Sequence, residues 1–157
     1  MPGEELQVGD PWEAVPGTER TFAAGPGGRI EICLARSQNG LEFSYGIAEG
    51  VVDRESLSAA TRHLISDPRL GARRPTLWDL RHHDFDHTPV VRFRGYAFIF
   101  SEFPERSGVR RGYLVSSDTG YGMMRMFQLS ASGYGLEDEA RIRVSADAGA
   151  LVTWLQA

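Results

Sequence analysis

The order in which the hydrophobic period changes along this chain limits its fold more than any single residue does. Two short runs alternate apolar and polar side chains. Ile30, Ile32 and Leu34 form the apolar row of the first; Leu41, Phe43, Tyr45 and Ile47 form that of the second, with Glu42, Ser44 and Gly46 between them. A period of two marks half-buried strands. Ser37-Gln38-Asn39-Gly40 between the runs supplies the turn of a hairpin. The pair predicts a sheet with one apolar face and a second face that is at least partly polar. The period then becomes helical: Leu57, Ala60, Thr61, Leu64 and Ile65 make one stripe behind Asp53, a good N-cap, and Pro68 ends the helix. His63 lies off that stripe and is expected in solvent.

Strand and helix alternate from there to the end. Residues 75–80 (PTLWDL), 111–117 (RGYLVSS) and 139–145 (EARIRVS) read as strands, the last with the alternation of an edge strand. Residues 88–105 open with Thr88-Pro89, an N-cap followed by Pro at the first helical position, and place Val90, Phe93, Ala97 and Phe100 on one helical face. Residues 118–135 form a third helix closed by Gly133 or Gly135. Residues 147–156 form a fourth, with Ala148, Leu151, Val152 and Leu155 as its stripe. The expected fold is therefore α/β, a five-stranded, mostly parallel sheet in ββαβαβαβα order with right-handed crossovers.

The 157 residues suit one domain, expected over 29–157. The first 28 residues contain ten Gly or Pro and predict an arm with little regular structure, anchored by Trp12 and Phe22. A net charge near −4 without a basic stripe argues against nucleic acid as partner. All 17 basic residues are Arg. Without Lys there is no P-loop lysine and no Schiff base. Cys33 stands alone, so an internal disulfide and a cysteine zinc cage are both excluded. It sits on the polar side of its strand, where an inert thiol is expected. No apolar run reaches the roughly 20 residues of a membrane span, and the first residues lack a signal-peptide pattern. The expected location is cytoplasmic, and no cofactor is expected.

Three segments are candidates for function. Asp79-Leu80-Arg81-His82-His83-Asp84-Phe85-Asp86-His87-Thr88 holds three of the four histidines. Local chemistry predicts that Asp79 ends a strand and Thr88 caps a helix. Arg81, His82, His83, Asp84, Asp86 and His87 then form an exposed loop, with imidazoles titrating near 6.5. The competing metal reading uses His82, His83 and His87. It resembles a zinc helix only if the segment is helical, which Pro89 disfavours at Thr88. Ser116, Ser117, Asp118 and Thr119 lie at a strand end and a helix start, where anions and ligands gather in open α/β sheets. Phe98, Phe100, Met123 and Met126 are candidate lining for an apolar pocket. Methionines at this spacing are more often core.

The leading hairpin followed by LWDLRHHDF, YGMMRMF and AGALVTWL resembles the SpoIIAA-like proteins, the bacterial branch of the STAS and Sec14-like (CRAL-TRIO) superfamily, from about Arg29 to Leu155. The resemblance implies a sheet coated by helices mainly on one face. In the anti-sigma-factor antagonists of that superfamily, a serine after the central strand is phosphorylated and controls partner binding. Here that loop offers Thr88 as its only hydroxyl. The Sec14-like branch binds lipids in an apolar cleft. The expectation is a non-catalytic regulatory domain that binds a protein partner and pairs with itself, with a small-ligand or lipid carrier as the alternative. A metal-dependent enzyme on the histidines ranks third.

Overall fold

The computed structural model describes residues 9–25 and 27–157. Its elements run β1 (Trp12–Ala14), β2 (Arg20–Ala23), β3 (Arg29–Ser37), β4 (Glu42–Gly50), α1 (Arg54–Ser66), β5 (Thr76–His83), α2 (Val90–Ala97), α3 (Ile99–Glu102), β6 (Arg111–Leu114), α4 (Asp118–Gly133), β7 (Ile142–Ser145) and α5 (Ala148–Gln156). From β3 onward the order is the expected one, except that the single helix expected over 88–105 is divided into α2 and α3. The sheet runs β1-β3-β4-β5-β6-β7, with β2 also paired to β3. β1, β2 and β4 lie antiparallel to β3; β4, β5, β6 and β7 are mutually parallel. There are seven strands among the described residues rather than five. The extra two come from the arm, where little regular structure was expected. Trp12–Ala14 and Arg20–Ala23 borrow their hydrogen-bond partners from the free edge of β3. A Gly/Pro-rich stretch has no intrinsic strand preference, so its conformation was set by the neighbour it meets.

Helices α1 to α4 cover one face. Ile30, Ile32, Trp78 and Tyr113 from the strands meet Leu64, Phe93, Met124 and Phe127 there in the larger core. The second face, expected to be at least partly polar, carries an apolar core of its own beside a polar patch around Asp79. Phe43, Tyr45, Leu77 and Leu114 pack there with Leu151 and Leu155 of α5 and with Trp12 of the arm. The two apolar rows of the hairpin thus lie on opposite faces. Cα partners are Ile32 with Gly46 and Cys33 with Tyr45. The turn explains this. Ser37 pairs across to Leu41, its N–H donating to the Leu41 carbonyl (2.8 Å), while the Gly40 N–H bonds to the Ser37 carbonyl (3.0 Å). Gln38, Asn39 and Gly40 make a three-residue loop, with Gly40 at φ 87°. Changing a hairpin loop by one residue sends every side chain of the second strand to the other face.

Local signals elsewhere held. The Asp53 carboxylate accepts the Ser56 N–H (2.7 Å) at the start of α1. The Ser117 hydroxyl accepts the Gly120 N–H (3.0 Å) at the start of α4, and Asp147 accepts the Ala150 N–H (3.0 Å) at α5. Thr88 is the exception. Its hydroxyl donates back to the Asp84 carbonyl (2.6 Å), and Pro89 occupies the cap position of α2 without a side-chain bond.

A charged cluster and an apolar cavity on the two faces of β5

Strand β5 continues past Asp79 to His83, three residues into what the sequence presents as a loop. The continuation carries an irregularity. Ile47 of β4 faces Asp79, but Glu49 faces His82, so three steps on β5 oppose two on β4. An extra residue in one strand reverses its inside–outside alternation. His83 consequently turns toward the helix-covered face with Trp78, while Asp79 and Arg81 stay together on the other.

On that other face the polar residues bind one another. Asp79 is buried and accepts from the Tyr45 hydroxyl (2.6 Å), from the Arg81 backbone N–H (3.1 Å) and twice from the Arg81 guanidinium (Nε to Oδ1 3.0 Å, Nη2 to Oδ2 2.7 Å). Burial alone would raise the Asp79 carboxyl; the bonds from Arg81 and Tyr45 outweigh it and hold the group below its ordinary value. Arg81 also grips Asp10 of the arm, and its carbonyl accepts the Ser116 hydroxyl (3.2 Å). These side chains were expected to be presented to a partner. They are spent inside the molecule.

The three histidines of the segment go to separate places. His82 is exposed. His87 is exposed and pairs with Asp84 (Nδ1 to Oδ2 2.8 Å), whose other oxygen accepts the His87 N–H. His83 is buried edge-on against Phe85, with ring centroids 4.6 Å apart. Its Nε2 lies 3.4 Å from the Thr88 hydroxyl and its Nδ1 has no partner. Burial pushes this imidazole down to about 4, so the expectation of three solvated histidines fails at His83. His63 departs from expectation too: it packs beside Phe22 of β2 (5.7 Å), and burial lowers it. Asp86 is exposed. Among the described residues, no three His, Cys, Asp or Glu side chains converge as metal ligands.

The remaining candidates divide. Ser116, Ser117, Asp118 and Thr119 are all exposed where β6 passes into α4, with Ser117 acting as the cap. Phe100 lines a cavity, but Phe98, Met123 and Met126 do not; their neighbours Ile99, Met124 and Phe127 do. A helical stripe indicates which side chains share a face, but packing decides which of two adjacent ones turns inward. Cys33 is buried on the α5 side, and burial pushes its thiol up to about 11.

That cavity, about 90 Å³, is the most distinctive feature of the larger core. It lies between the sheet (Ile30, Ala48, Trp78, Tyr113) and helices α1 to α4. Gly46 helps to shape it: a Cβ at this position would stand 2.5 Å from the Trp78 ring, so only Gly lets the indole lie flat on β4. The largely apolar wall is interrupted by Thr61 and by polar groups toward the two ends of β5. His83 is the last residue of that strand. Arg106, Arg111 and Tyr113, all buried, lie toward its start, where Arg106 bonds Thr76 and Arg111 is the Cα partner of Thr76. Sequence reasoning missed Arg106 and Arg111. The available signal was Arg111 two residues before Tyr113 in β6, which puts a guanidinium on the helix-covered face.

No family profile matches this chain, and no curated protein matches it. Among solved structures, it is similar to an uncharacterised protein of the DUF3478 family with a SpoIIAA-like fold from Shewanella loihica. The identity is 16%, the match covers 85% of this chain and 98% of that one, and the TM-score is 0.52. The chain has a SpoIIAA-like fold, and at this identity the likeness speaks to the fold alone. No helix is long and apolar enough to cross a membrane among the described residues.

Proposed function

We propose that this chain is a non-catalytic binding domain that takes a small apolar ligand into the cavity beneath α1 to α4. The supporting observation is the cavity itself. Protein interiors close to crystal-like density and leave few voids larger than a water molecule. A volume of about 90 Å³ walled by Ile30, Leu64, Trp78 and Phe127 departs from that. For scale, an engineered cavity of about 150 Å³ lined by aliphatic and aromatic side chains takes up benzene. An apolar pocket with a few convergent polar groups is the usual form of a small-molecule site. The partner-binding loop loses its support in proportion, since Asp79 and Arg81 are tied to Tyr45 and Asp10. Native mass spectrometry of gently purified protein, followed by calorimetric titration with small apolar compounds, tests this reading. Protein that is ligand-free and takes up none of them overturns it.

A second reading keeps the protein partner or a second copy of the chain. Val90, Val91, Phe98, Leu129 and Tyr134 are exposed on or beside α2 and α4, and Phe98 and Tyr134 pair at 5.2 Å. An apolar surface of this kind suits a protein contact. Sedimentation velocity of the native chain against a variant with Val91 and Leu129 changed to Ser separates self-association from monomer.

A further inference from the structure

We propose that the cavity is built for a monocarboxylate, with the ligand's acid group against Arg106 and its apolar tail along the sheet toward His83. The inference rests on the cavity being a ligand site, as proposed above, and adds the chemistry of what enters it.

The argument is one of charge. Arg106 and Arg111 are 2% and 5% exposed, and both line the cavity. Glu137, the carboxylate within reach, is committed to Arg111 (Nη1 to Oε2 2.8 Å) and also accepts the Gly108 and Asp138 N–H groups. Arg111 further donates to the carbonyls of Val109 and Arg106 and stacks over Phe100 at 4.6 Å. Arg111 is thus neutralised and well bonded. Arg106 is not. Among the described residues it donates to two neutral acceptors, the Ala72 carbonyl (2.9 Å) and the Thr76 hydroxyl (2.6 Å), and it forms no ion pair. That uses two of the five N–H donors a guanidinium carries. Two buried cations and one buried carboxylate leave a net charge of one at this end of the cavity.

An isolated buried charge is costly, and native proteins pair such charges. Burial, with Arg111 nearby, already pulls Arg106 down to about 10, well below an ordinary guanidinium, so the group is poorly stabilised as it stands. A single negative charge supplied by a ligand completes the set; a dianion would overshoot it, and a cation would worsen it. Tyr113 adds a donor. Its side chain is buried two residues along β6 from Arg111, it lines the cavity, and its hydroxyl makes no hydrogen bond to a described residue. A planar carboxylate fits a guanidinium fork beside a phenol. The tail has a defined course. From Thr76, bonded to Arg106, to His83 the strand advances seven residues, about 23 Å at the usual rise per residue, and Trp78, Leu80 and Phe93 line that path. His83 at the far end is held neutral by burial and does not compete for the anion.

Calorimetric titration of the native chain at pH 7 with hexanoate, 1-hexanol and hexylammonium tests the inference. Hexanoate is expected to bind at least tenfold more tightly than 1-hexanol, and hexylammonium not to bind. Arg106→Met should abolish the preference for hexanoate over 1-hexanol. If 1-hexanol binds as well as hexanoate, or the preference survives in Arg106→Met, the carboxylate assignment is wrong while the cavity reading stands. If none of the three binds, the cavity reading fails and takes this inference with it. Should Arg106→Met not fold, the order of the three compounds on the native chain still decides.

Discussion

Arg81 closes a two-pronged ion pair on Asp10, 71 residues earlier in the chain, with Nη1 3.0 Å from Oδ1 and Nη2 2.9 Å from Oδ2. The same guanidinium holds the buried Asp79. One side chain therefore fastens the arm to the end of β5, and Trp12 seals the joint by packing edge-on to Tyr45 at 5.3 Å. The two ion pairs are not equivalent. Asp10 and Arg81 side chains are 33% and 30% exposed, whereas Asp79 is 3% exposed. Asp10→Asn should cost less than about 1 kcal/mol, the range of solvent-screened pairs. Arg81→Met should cost about 2–4 kcal/mol because it strands a buried carboxylate. Urea denaturation of both variants checks the order; equal costs would refute the assigned roles.

The histidines of the same segment should separate in stability. His82→Asn with His87→Asn changes two exposed rings and should stay within about 0.5 kcal/mol. Adding His83→Asn removes a buried ring packed on Phe85 and Phe93 and should bring the total to about 2–3 kcal/mol. Three solvated rings, as the sequence led one to expect, would together cost under about 0.5 kcal/mol. Midpoints and slopes of urea curves for the double and triple variants decide between the two figures.

His83 also fixes a pH dependence. Its pKa is about 4 in the folded chain, against 6.5 for an ordinary imidazole. Between those values the unfolded chain carries a proton that the folded chain lacks, so stability rises with pH through this window and levels off above about 6.5. Lowering the pH from 7 to 4 should remove up to roughly 3 kcal/mol through this group. In His83→Gln the slope between pH 4.5 and 6.5 should fall below that of the native chain, with the share of His63, which burial also lowers, remaining. A native-like slope in that variant would mean that another group titrates there.

Gly46→Ala should destabilise the protein by about 1–3 kcal/mol, the usual cost of overpacking. The added methyl meets the Trp78 ring at 2.5 Å. Since the cavity lies beside Trp78, the indole has room to shift into it. The variant should therefore show altered tryptophan fluorescence and weaker uptake of any ligand that the native chain binds. Unchanged emission with unchanged stability would show that Gly46 does not set the ring's position.

What the sequence determined by itself was local and periodic. The alternation of residues 30–34 and 41–47, the cap at Asp53 and the stripes of α1 and α5 gave the elements from Arg29 onward in their order. Those signals depend on nearest neighbours along the chain, and such contacts are written in the sequence. Tertiary structure decided what depends on parity and on partners far away. One extra residue in the 38–40 loop put Phe43 and Tyr45 against α5 rather than with Ile32. One extra residue in β5 turned His83 inward beside Phe85. The free edge of β3 made strands of an arm that has no preference of its own. Arg106 and Arg111 lie in the core only because the chain folds back over them, and Glu137, which balances one of the two, arrives from beyond α4. A period of two states which side chains share a face; which way that face points is settled only when the strands pair.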